Sequence, residues 1–216
     1  MGGKTMKKRN IVFALLLVLA MLVTGCGSSK QSVEGKWVGR LDVTKQFEDG
    51  IKAAHPTLEK YVDFDDLVFE MNIAFVDGQM SIEVNQDSID KFHENFTNGM
   101  QKIAVGYWED GLAMIDLTLE EAIYESGMTE EAYMERIYSE TGIDKMIESM
   151  SGVTTGTLEK LSSMKGTYTT PVDKELRLYY TEEEYESMEY GFKGKNLNIT
   201  IKGEGFSLFI QCEKEK

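Results

Sequence analysis

The stretch VFEMNIAFVDGQMSIEV, residues 68–84, determines which fold this chain can form. Apolar and polar residues alternate along it, and this period of two is typical of a β-strand with one buried face. Asp77-Gly78 interrupts the alternation with a two-residue signal for a tight β-hairpin. The apolar positions on either side of the turn are Phe69, Met71, Ile73, Phe75, Met80, Ile82 and Val84. We therefore predict two antiparallel strands that bury the same face.

Similar alternation occurs near both ends of the chain. Trp37, Leu41 and Val43 share one parity, which predicts a first strand over residues 35–43. From Lys165 onward several runs alternate again, with apolar positions at Tyr168, Leu176, Leu178, Leu197, Ile199, Ile201, Leu208, Ile210 and Cys212. Residues 45–66 break the pattern and predict short helices interrupted at Pro56. We expect three strands before residue 87 and four or five after residue 163.

The period becomes helical from Asp87, where apolar residues recur at spacings of three and four. These residues are Ile89, Phe92, Phe96, Met100, Ile103 and Tyr107. Gly99 and Gly106 weaken the helix, so we predict a bend or a break near Gly106 to Gly111. Thr118-Leu-Glu-Glu121 is a capping box that opens a short helix. Two more helices are expected over residues 129–150, and residues 151–163, rich in Ser, Thr and Gly, are expected to be a connection.

These patterns together predict an α+β fold. Its antiparallel, barrel-like sheet is interrupted by a central helical insertion at about residues 87–163, which covers one end or face of the sheet. Residues 35–212 would form this single domain, since a chain of this length has the size of one domain.

The charge of the chain excludes one class of partner. Residues 1–25 hold four basic and no acidic residues, so the remainder carries 19 basic against 37 acidic side chains, a net charge of −18. Nucleic acid is a poor partner for such a surface, because binding it relies on neutralising phosphates with Lys and Arg. Anionic lipid headgroups would repel it as well.

The N-terminal region predicts export. A basic start is followed by the apolar run Ile11–Val23, whose 13 residues are too few to span a bilayer, which needs roughly 20. This arrangement is typical of a secretory signal peptide. The following Leu22-Val-Thr-Gly-Cys26 resembles the lipobox of bacterial lipoproteins. That resemblance implies a signal peptide over residues 1–25 and a diacylglyceryl group on Cys26.

Several expectations follow from a lipidated Cys26. Residues 26–34 would form a flexible tether that spans only about 15 Å, and the protein would lie on the extracytoplasmic face of the cell membrane. Cys212 would then have no intramolecular disulfide partner. It shares parity with core residues and has no obvious base beside it, so we expect a buried, inert thiol.

Gly35 and Trp37 open the first strand in a way that resembles lipocalins and related small barrels, in which the tryptophan plugs one end. The strands over residues 165–212 and the capped helices are similar to lipocalin-like lipoproteins of Gram-positive bacteria, a largely uncharacterised group. A lipocalin carries its long helix after the last strands, whereas this chain places its helices in the middle. A ligand pocket inside such a barrel would be lined by Trp37, Phe69, Met71, Ile73, Phe75, Tyr168, Leu178 and Ile199.

Catalytic and metal motifs are scarce. His55 and His93 are the only histidines, and neither belongs to a triad, a zinc motif or a phosphate-binding loop. Asp63, Asp65 and Asp66 are close in sequence, as in a calcium site. They lack the spacing and the terminal glutamate of a calcium loop, which favours a solvated turn. We expect no cofactor and no metal.

Two features of the insertion bear on function. Nine acidic residues lie within residues 118–151, namely Glu120, Glu121, Glu125, Glu130, Glu131, Glu135, Glu140, Asp144 and Glu148. They indicate either a dock for a cationic partner or, more commonly, a solvated helix face. Six methionines, Met100, Met114, Met128, Met134, Met146 and Met150, indicate core packing or an adaptable binding surface.

The sequence therefore favours a non-enzymatic, membrane-anchored lipoprotein that binds a small apolar ligand or an envelope protein. A cationic envelope protein or peptide is the protein partner expected from the charge. A structural or inhibitory module acting through the acidic insertion is the alternative, and a hydrolase is a third. The state of the sheet's interior separates them, because a ligand needs an empty apolar cavity and a hydrolase needs an acidic cleft.

Overall fold

The computed structural model describes residues 31–203 and 206–215 and has an α+β fold. Eight antiparallel strands form a sheet that closes in a ring. The strands are β1 (Gly35–Asp42), β2 (Val68–Val76), β3 (Gln79–Val84), β4 (Lys165–Thr169), β5 (Glu175–Tyr179), β6 (Tyr185–Lys193), β7 (Asn196–Gly203) and β8 (Phe206–Lys214). Three strands precede the helical insertion and five follow it, within the range predicted from the sequence.

Each strand pairs with its neighbour along the chain, and β1 also pairs with β8 to close the ring. Trp37 on β1 lies opposite Ile73 of β2 on one side and Lys214 of β8 on the other. The hairpin between β2 and β3 turns at Asp77 and Gly78, which both have positive φ. This is the conformation that a two-residue hairpin turn requires, so the predicted turn is confirmed.

Helices lie in two places along the chain. α1 (Thr44–Ala54) and a 3₁₀-helix (Pro56–Tyr61) separate β1 from β2, and Pro56 divides them as expected. Between β3 and β4 lie α2 (Gln86–Ala113), α3 (Leu119–Ser126), α4 (Glu130–Thr141) and α5 (Ile143–Ser163). None of the helices in the described part of the chain is both long and apolar enough to cross a bilayer.

The helix caps follow the sequence closely. The Thr118 hydroxyl accepts a hydrogen bond from the Glu121 amide, and the Glu121 carboxylate accepts one from the Thr118 amide at 2.9 Å. The capping box is therefore confirmed. The Thr129 hydroxyl accepts a hydrogen bond from the Ala132 amide at the start of α4, and Gly127 and Gly142 end α3 and α4 in the left-handed conformation that favours glycine.

The predicted break near Gly106 is wrong, because α2 runs without interruption through both glycines. A Cβ atom added at Gly99 would overlap the ring of Phe64, and one added at Gly106 would overlap the ring of Tyr61. The glycines therefore lie where two aromatic rings contact the helix backbone. Their effect on helix propensity is small compared with this packing.

The predicted connection over residues 151–163 is also wrong, because these residues belong to α5. Leu158 and Leu161 are buried on the same helix as Ile143. The Ser151 hydroxyl donates a hydrogen bond of 2.9 Å to the carbonyl of Ile147, four residues earlier. The polar side chains are satisfied within the helix, so a composition typical of loops does not prevent a helix here.

The insertion contacts the ring through β2 and β3. The ring of Phe69 on β2 stacks on that of Phe92 on α2, with centroids 4.3 Å apart. Phe96, one turn further along α2, stacks on Phe64 with centroids 5.7 Å apart. The core of the ring thus continues into an aromatic layer beneath the helices.

Candidate functional site

The eight residues predicted to line a pocket belong to the sheet, and most of them are buried. Tyr168 is half-buried, and its ring lies 5.0 Å from that of Phe75. The fully buried members are Trp37, Phe69, Met71, Ile73, Phe75, Leu178 and Ile199. The structure therefore brings the predicted set together as a core, and its ligand-binding role stays a prediction.

Side chains from the two strands beside β1 approach each other over Gly39. A Cβ atom added there would lie 2.9 Å from Cγ2 of Ile210, 3.0 Å from Cδ1 of Ile73 and 3.0 Å from Cγ of Met71. These distances are shorter than ordinary contacts between carbon atoms. The space over Gly39 is therefore filled by side chains of β2 and β8.

Polar contacts close the end of the ring where Trp37 lies. The Tyr168 hydroxyl donates a hydrogen bond to the Glu34 carboxylate, which also accepts one from the Asp77 amide at 3.1 Å. Burial and the neighbouring Glu34 carboxylate raise the pKa of Tyr168. The Lys214 ammonium lies 5.4 Å from the Trp37 ring centroid and donates to the Glu34 carbonyl. These contacts tie β1, β4 and β8 together.

A groove of about 460 Å³ lies between the 3₁₀-helix and the C-terminal end of α2. Its lining is mainly apolar and aromatic, with one acidic and one basic side chain. The lining residues are Thr57, Lys60, Tyr61, Tyr107, Trp108, Asp110, Gly111, Leu112 and Met114. Tyr107 is 50% exposed and Met114 is 86% exposed. We call this feature the α2 groove.

Two aromatic rings of the α2 groove, those of Tyr61 and Trp108, are fixed by contacts with neighbouring helices. Gly106 has no side chain, and the Tyr61 ring therefore lies against the backbone of α2. The Trp108 indole nitrogen donates a hydrogen bond of 3.4 Å to the hydroxyl of Tyr133, which is buried on α4. These contacts join the 3₁₀-helix to α2 and α2 to α4 around the α2 groove.

An ion pair lies within the α2 groove. The Asp110 carboxylate accepts a hydrogen bond from the Lys60 ammonium, and this bond and the nearby Tyr61 hydroxyl lower the pKa of Asp110. The bond to Asp110 raises the pKa of Lys60 in turn. The Lys60 ammonium also lies 4.7 Å from the centroid of the Tyr61 ring. A cation is therefore held here by a carboxylate and an aromatic face together.

The helices around the α2 groove expose both apolar and acidic side chains. Ile115 and Tyr124 are 69% and 87% exposed. All nine acidic residues predicted to mark the insertion are exposed. Glu140 accepts a hydrogen bond from Arg136 at 2.6 Å. The surface therefore combines negative charge with apolar side chains.

The six methionines divide between two environments. Met100 is buried on the inner side of α2, and Met134, Met146 and Met150 are half-buried. Met114 and Met128 are exposed, and Met114 lines the α2 groove. Core packing and an adaptable surface thus both occur within the set.

The other chemical candidates from the sequence remain apart. Asp65 and Asp66 lie in an exposed turn, paired with Lys102 at 3.5 Å and Arg40 at 3.9 Å respectively. Asp63 is exposed in the same turn. Across residues 31–203 and 206–215, no three His, Cys, Asp or Glu side chains are grouped so that they could hold a metal ion.

Cys212 is a free, buried cysteine on the inner face of the ring. Burial raises the pKa of its thiol to about 12. A thiol with so high a pKa carries almost no thiolate at neutral pH, and the thiolate is the reactive form. The predicted burial of this thiol is confirmed.

A second groove, of about 820 Å³, lies on the outer face of β6, β7 and β8. It is more polar than the α2 groove. Two of its acidic side chains are paired, because Glu189 lies 2.5 Å from Lys202 and Glu175 lies 2.6 Å from Arg177, which is outside the groove lining. The α2 groove is therefore the stronger candidate for binding an apolar group.

Sequence reasoning missed the α2 groove. The sequence places Tyr107 on the apolar stripe of a helix and predicts a bend or a break of that helix near Gly106 to Gly111. The available signal was Gly106-Tyr-Trp108 close to the helix end, where a glycine beside two large rings leaves room for a third ring.

Cys26, the predicted lipidation site, lies outside the described residues. No family model matches the chain, and no curated protein or solved structure matches it either.

Proposed function

We propose that this protein is a membrane-anchored, extracytoplasmic, non-enzymatic lipoprotein that binds a positively charged envelope protein or peptide through its helical insertion. The observation that carries this proposal is the α2 groove, an apolar groove in a surface whose exposed charges are mostly acidic. In this proposal the closed sheet is a lipocalin-like barrel that acts as a scaffold.

The packing of the ring favours the insertion over the ring interior as the binding site. A small apolar ligand lying against β1 inside the ring would have to displace Ile73 and Ile210, which already occupy the space over Gly39. The α2 groove needs no such rearrangement. Its volume of about 460 Å³ lies within the range of about 300–1,000 Å³ that is usual for ligand pockets.

The charge of the insertion supports a basic partner. Exposed acidic side chains attract a positively charged segment and orient it as it approaches, while the apolar lining of the α2 groove accepts an apolar side chain of the same segment. Aromatic side chains such as Tyr107 and Trp108 frequently dominate binding energies at such sites. Charge would therefore govern the rate of association, and the groove would govern the affinity.

Membrane attachment rests on the sequence alone. Two or more acyl chains on Cys26 would anchor the protein, since each buried methylene contributes about 0.8 kcal/mol. We expect the Cys26→Ser protein to remain uncleaved by the lipoprotein signal peptidase and to carry no acyl chain. Wild-type protein found in the medium without lipid would contradict the anchor.

Peptide binding tests the proposed partner. The mature chain should bind a short peptide of alternating Leu and Lys, and should not bind the matched Leu and Glu peptide. Tyr107→Ser should weaken binding by about tenfold, which is typical of a truncated aromatic contact. Tyr124→Ser, which removes another exposed ring from a different helix, is the control and should leave affinity within about twofold. Equal binding of both peptides, or no effect of Tyr107→Ser, would contradict the proposal.

A further inference from the structure

We infer that the α2 groove is a receptor for one arginine side chain of the partner, and that Lys60 occupies the position of that cation in the free protein. This inference rests on the proposed function, because it names the chemistry by which the same groove recognises a basic partner. It adds that the chain carries its own competitor for the site.

The position of Lys60 shows what the α2 groove can hold. Its ammonium is paired with the Asp110 carboxylate and lies 4.7 Å from the centroid of the Tyr61 ring. A carboxylate and an aromatic face are the two groups that recognise ammonium and guanidinium ions in proteins. The groove therefore already has the chemistry of a cation site.

The groove offers more aromatic surface than the ring of Tyr61. Tyr107 and Trp108 supply two further rings to its lining. Trp108 is fixed by its hydrogen bond to Tyr133, and Tyr107 is half exposed to solvent. A group that lies among all three rings gains stacking contacts in addition to the ion pair.

Arginine suits this lining better than lysine does. A guanidinium group is planar, so it stacks on aromatic rings and binds a carboxylate with two parallel hydrogen bonds. The Asp110 carboxylate is already placed to accept a hydrogen bond from a cation, as its bond to Lys60 shows. Leu112 and Met114 line the same groove and provide apolar contacts for the residues beside the arginine.

Lys60 can leave without disturbing the fold. Its side chain is 61% exposed and that of Asp110 is 48% exposed, and ion pairs this exposed contribute little to stability. While Lys60 occupies the site, it reduces the fraction of molecules that can accept a partner's cation, and the apparent affinity falls by that fraction. Removal of the Lys60 charge should therefore strengthen binding.

The test compares two peptides and two lysine variants of the mature chain. The peptides are acetyl-Leu-Arg-Leu-amide and its citrulline analogue, in which a neutral urea replaces the guanidinium. Lys60→Met vacates the site. Lys102→Met is the control, because Lys102 is an equally exposed lysine on α2 that pairs with Asp65 outside the groove. Affinities are measured by titration calorimetry, and thermal unfolding verifies that each variant is folded.

The expected result is specific to the groove. Lys60→Met should bind the arginine peptide about three- to thirtyfold more tightly than wild type does, and should prefer it over the citrulline peptide by at least about tenfold. Lys102→Met should match wild type within about twofold. Equal gains in the two variants would mean that only net charge matters, and equal affinity for the two peptides would mean that no cation is recognised. Either outcome overturns the inference.

These failures are distinct from a failure of the proposed function. If wild type binds the Leu and Lys peptide and Tyr107→Ser binds it about tenfold more weakly, the proposed function stands. This holds even when Lys60→Met has no effect on affinity. If no basic peptide binds wild type or either lysine variant, both proposals are wrong.

Discussion

The inner face of the ring and the surface of the helical insertion use apolar side chains in opposite ways. On the inner face of the ring, Phe75 and Leu178 are completely buried. On the insertion, Met114 and Tyr124 are almost completely exposed. A sheet that closes on itself provides its own hydrophobic core, whereas the insertion leaves apolar groups in water. The first region accounts for stability, and the second is where binding energy remains available.

The largest expected effect tests the ring. Phe69→Ala should lower the free energy of unfolding by about 3–5 kcal/mol, because it removes a buried ring that stacks on Phe92. Glu70→Ala, the adjacent outward-facing position, should change it by less than about 0.5 kcal/mol. Chemical denaturation measures both. Equal effects would mean that the two faces of β2 are not different environments.

A smaller effect tests the contact between the insertion and the segment before β2. Gly99→Ala should destabilise the protein by about 1–3 kcal/mol, because the added methyl group overlaps the Phe64 ring. Gly111→Ala in the same helix meets no neighbouring atom and should stabilise by about 0.5–1 kcal/mol through helix propensity. Thermal unfolding of both variants should therefore give shifts of opposite sign. Two stabilising shifts would show that Phe64 does not pack on α2 in solution.

The burial of Cys212 predicts a dependence of stability on pH. The thiol has a pKa of about 12 in the folded ring and roughly 8.5 in an unfolded chain, so between these values the folded state binds more protons than the unfolded state. The free energy of unfolding should therefore fall as pH rises through this window, by up to about 1.4 kcal/mol per pH unit.

Cys212→Ala separates this contribution from other titrations, because lysines and tyrosines ionise in both proteins. Denaturation curves between pH 8 and pH 11 should converge as pH rises, since wild type loses stability faster. Parallel curves would show that the thiol is accessible to water and that the ring opens there.

The smallest expected effect on stability tests the acidic surface. Replacing Glu130, Glu131 and Glu135 by Gln should change stability by less than about 0.5 kcal/mol per site, because these exposed side chains lie on the solvent face of α4. Binding of the Leu and Lys peptide should nevertheless slow and become less sensitive to salt. Stopped-flow association rates at two salt concentrations measure this. Unchanged rates would assign the acidic residues to solubility alone.

The sheet could be predicted from sequence because alternation is a local property. The apolar positions from Phe69 to Phe75 bury one face whichever strands lie beside them, and Asp77-Gly78 sets the hairpin by its own conformation. The interior residues were correctly grouped for the same reason. Whether they line a cavity or fill it depends on how side chains from different strands meet, as they do beside Gly39, and no local pattern contains that information.

The helical errors have a different origin. Glycine in a helix predicts weakness, but Gly99 and Gly106 are matched to the rings of Phe64 and Tyr61, which lie more than thirty residues earlier in the chain. Residues 151–163 have the composition of a connection, yet burial of Leu158 and Leu161 makes them a helix. The α2 groove was missed because it exists only when Tyr61 approaches Asp110 from a separate helix.

The pairing of β1 with β8 has a consequence for how the chain folds. Apart from this pair, β1 with β2 and β3 with β4, each strand joins one that is close along the chain, so those pairs need only short loops to close. The last pair brings Trp37 beside Lys214, and contacts of such high sequence separation slow folding. Before it forms, β1 and β7 each present an unpaired edge on which another chain can add a strand. Arrival of β8 covers both edges in one step, so a chain synthesised from its N-terminus is protected against such pairing only when its last strand is complete.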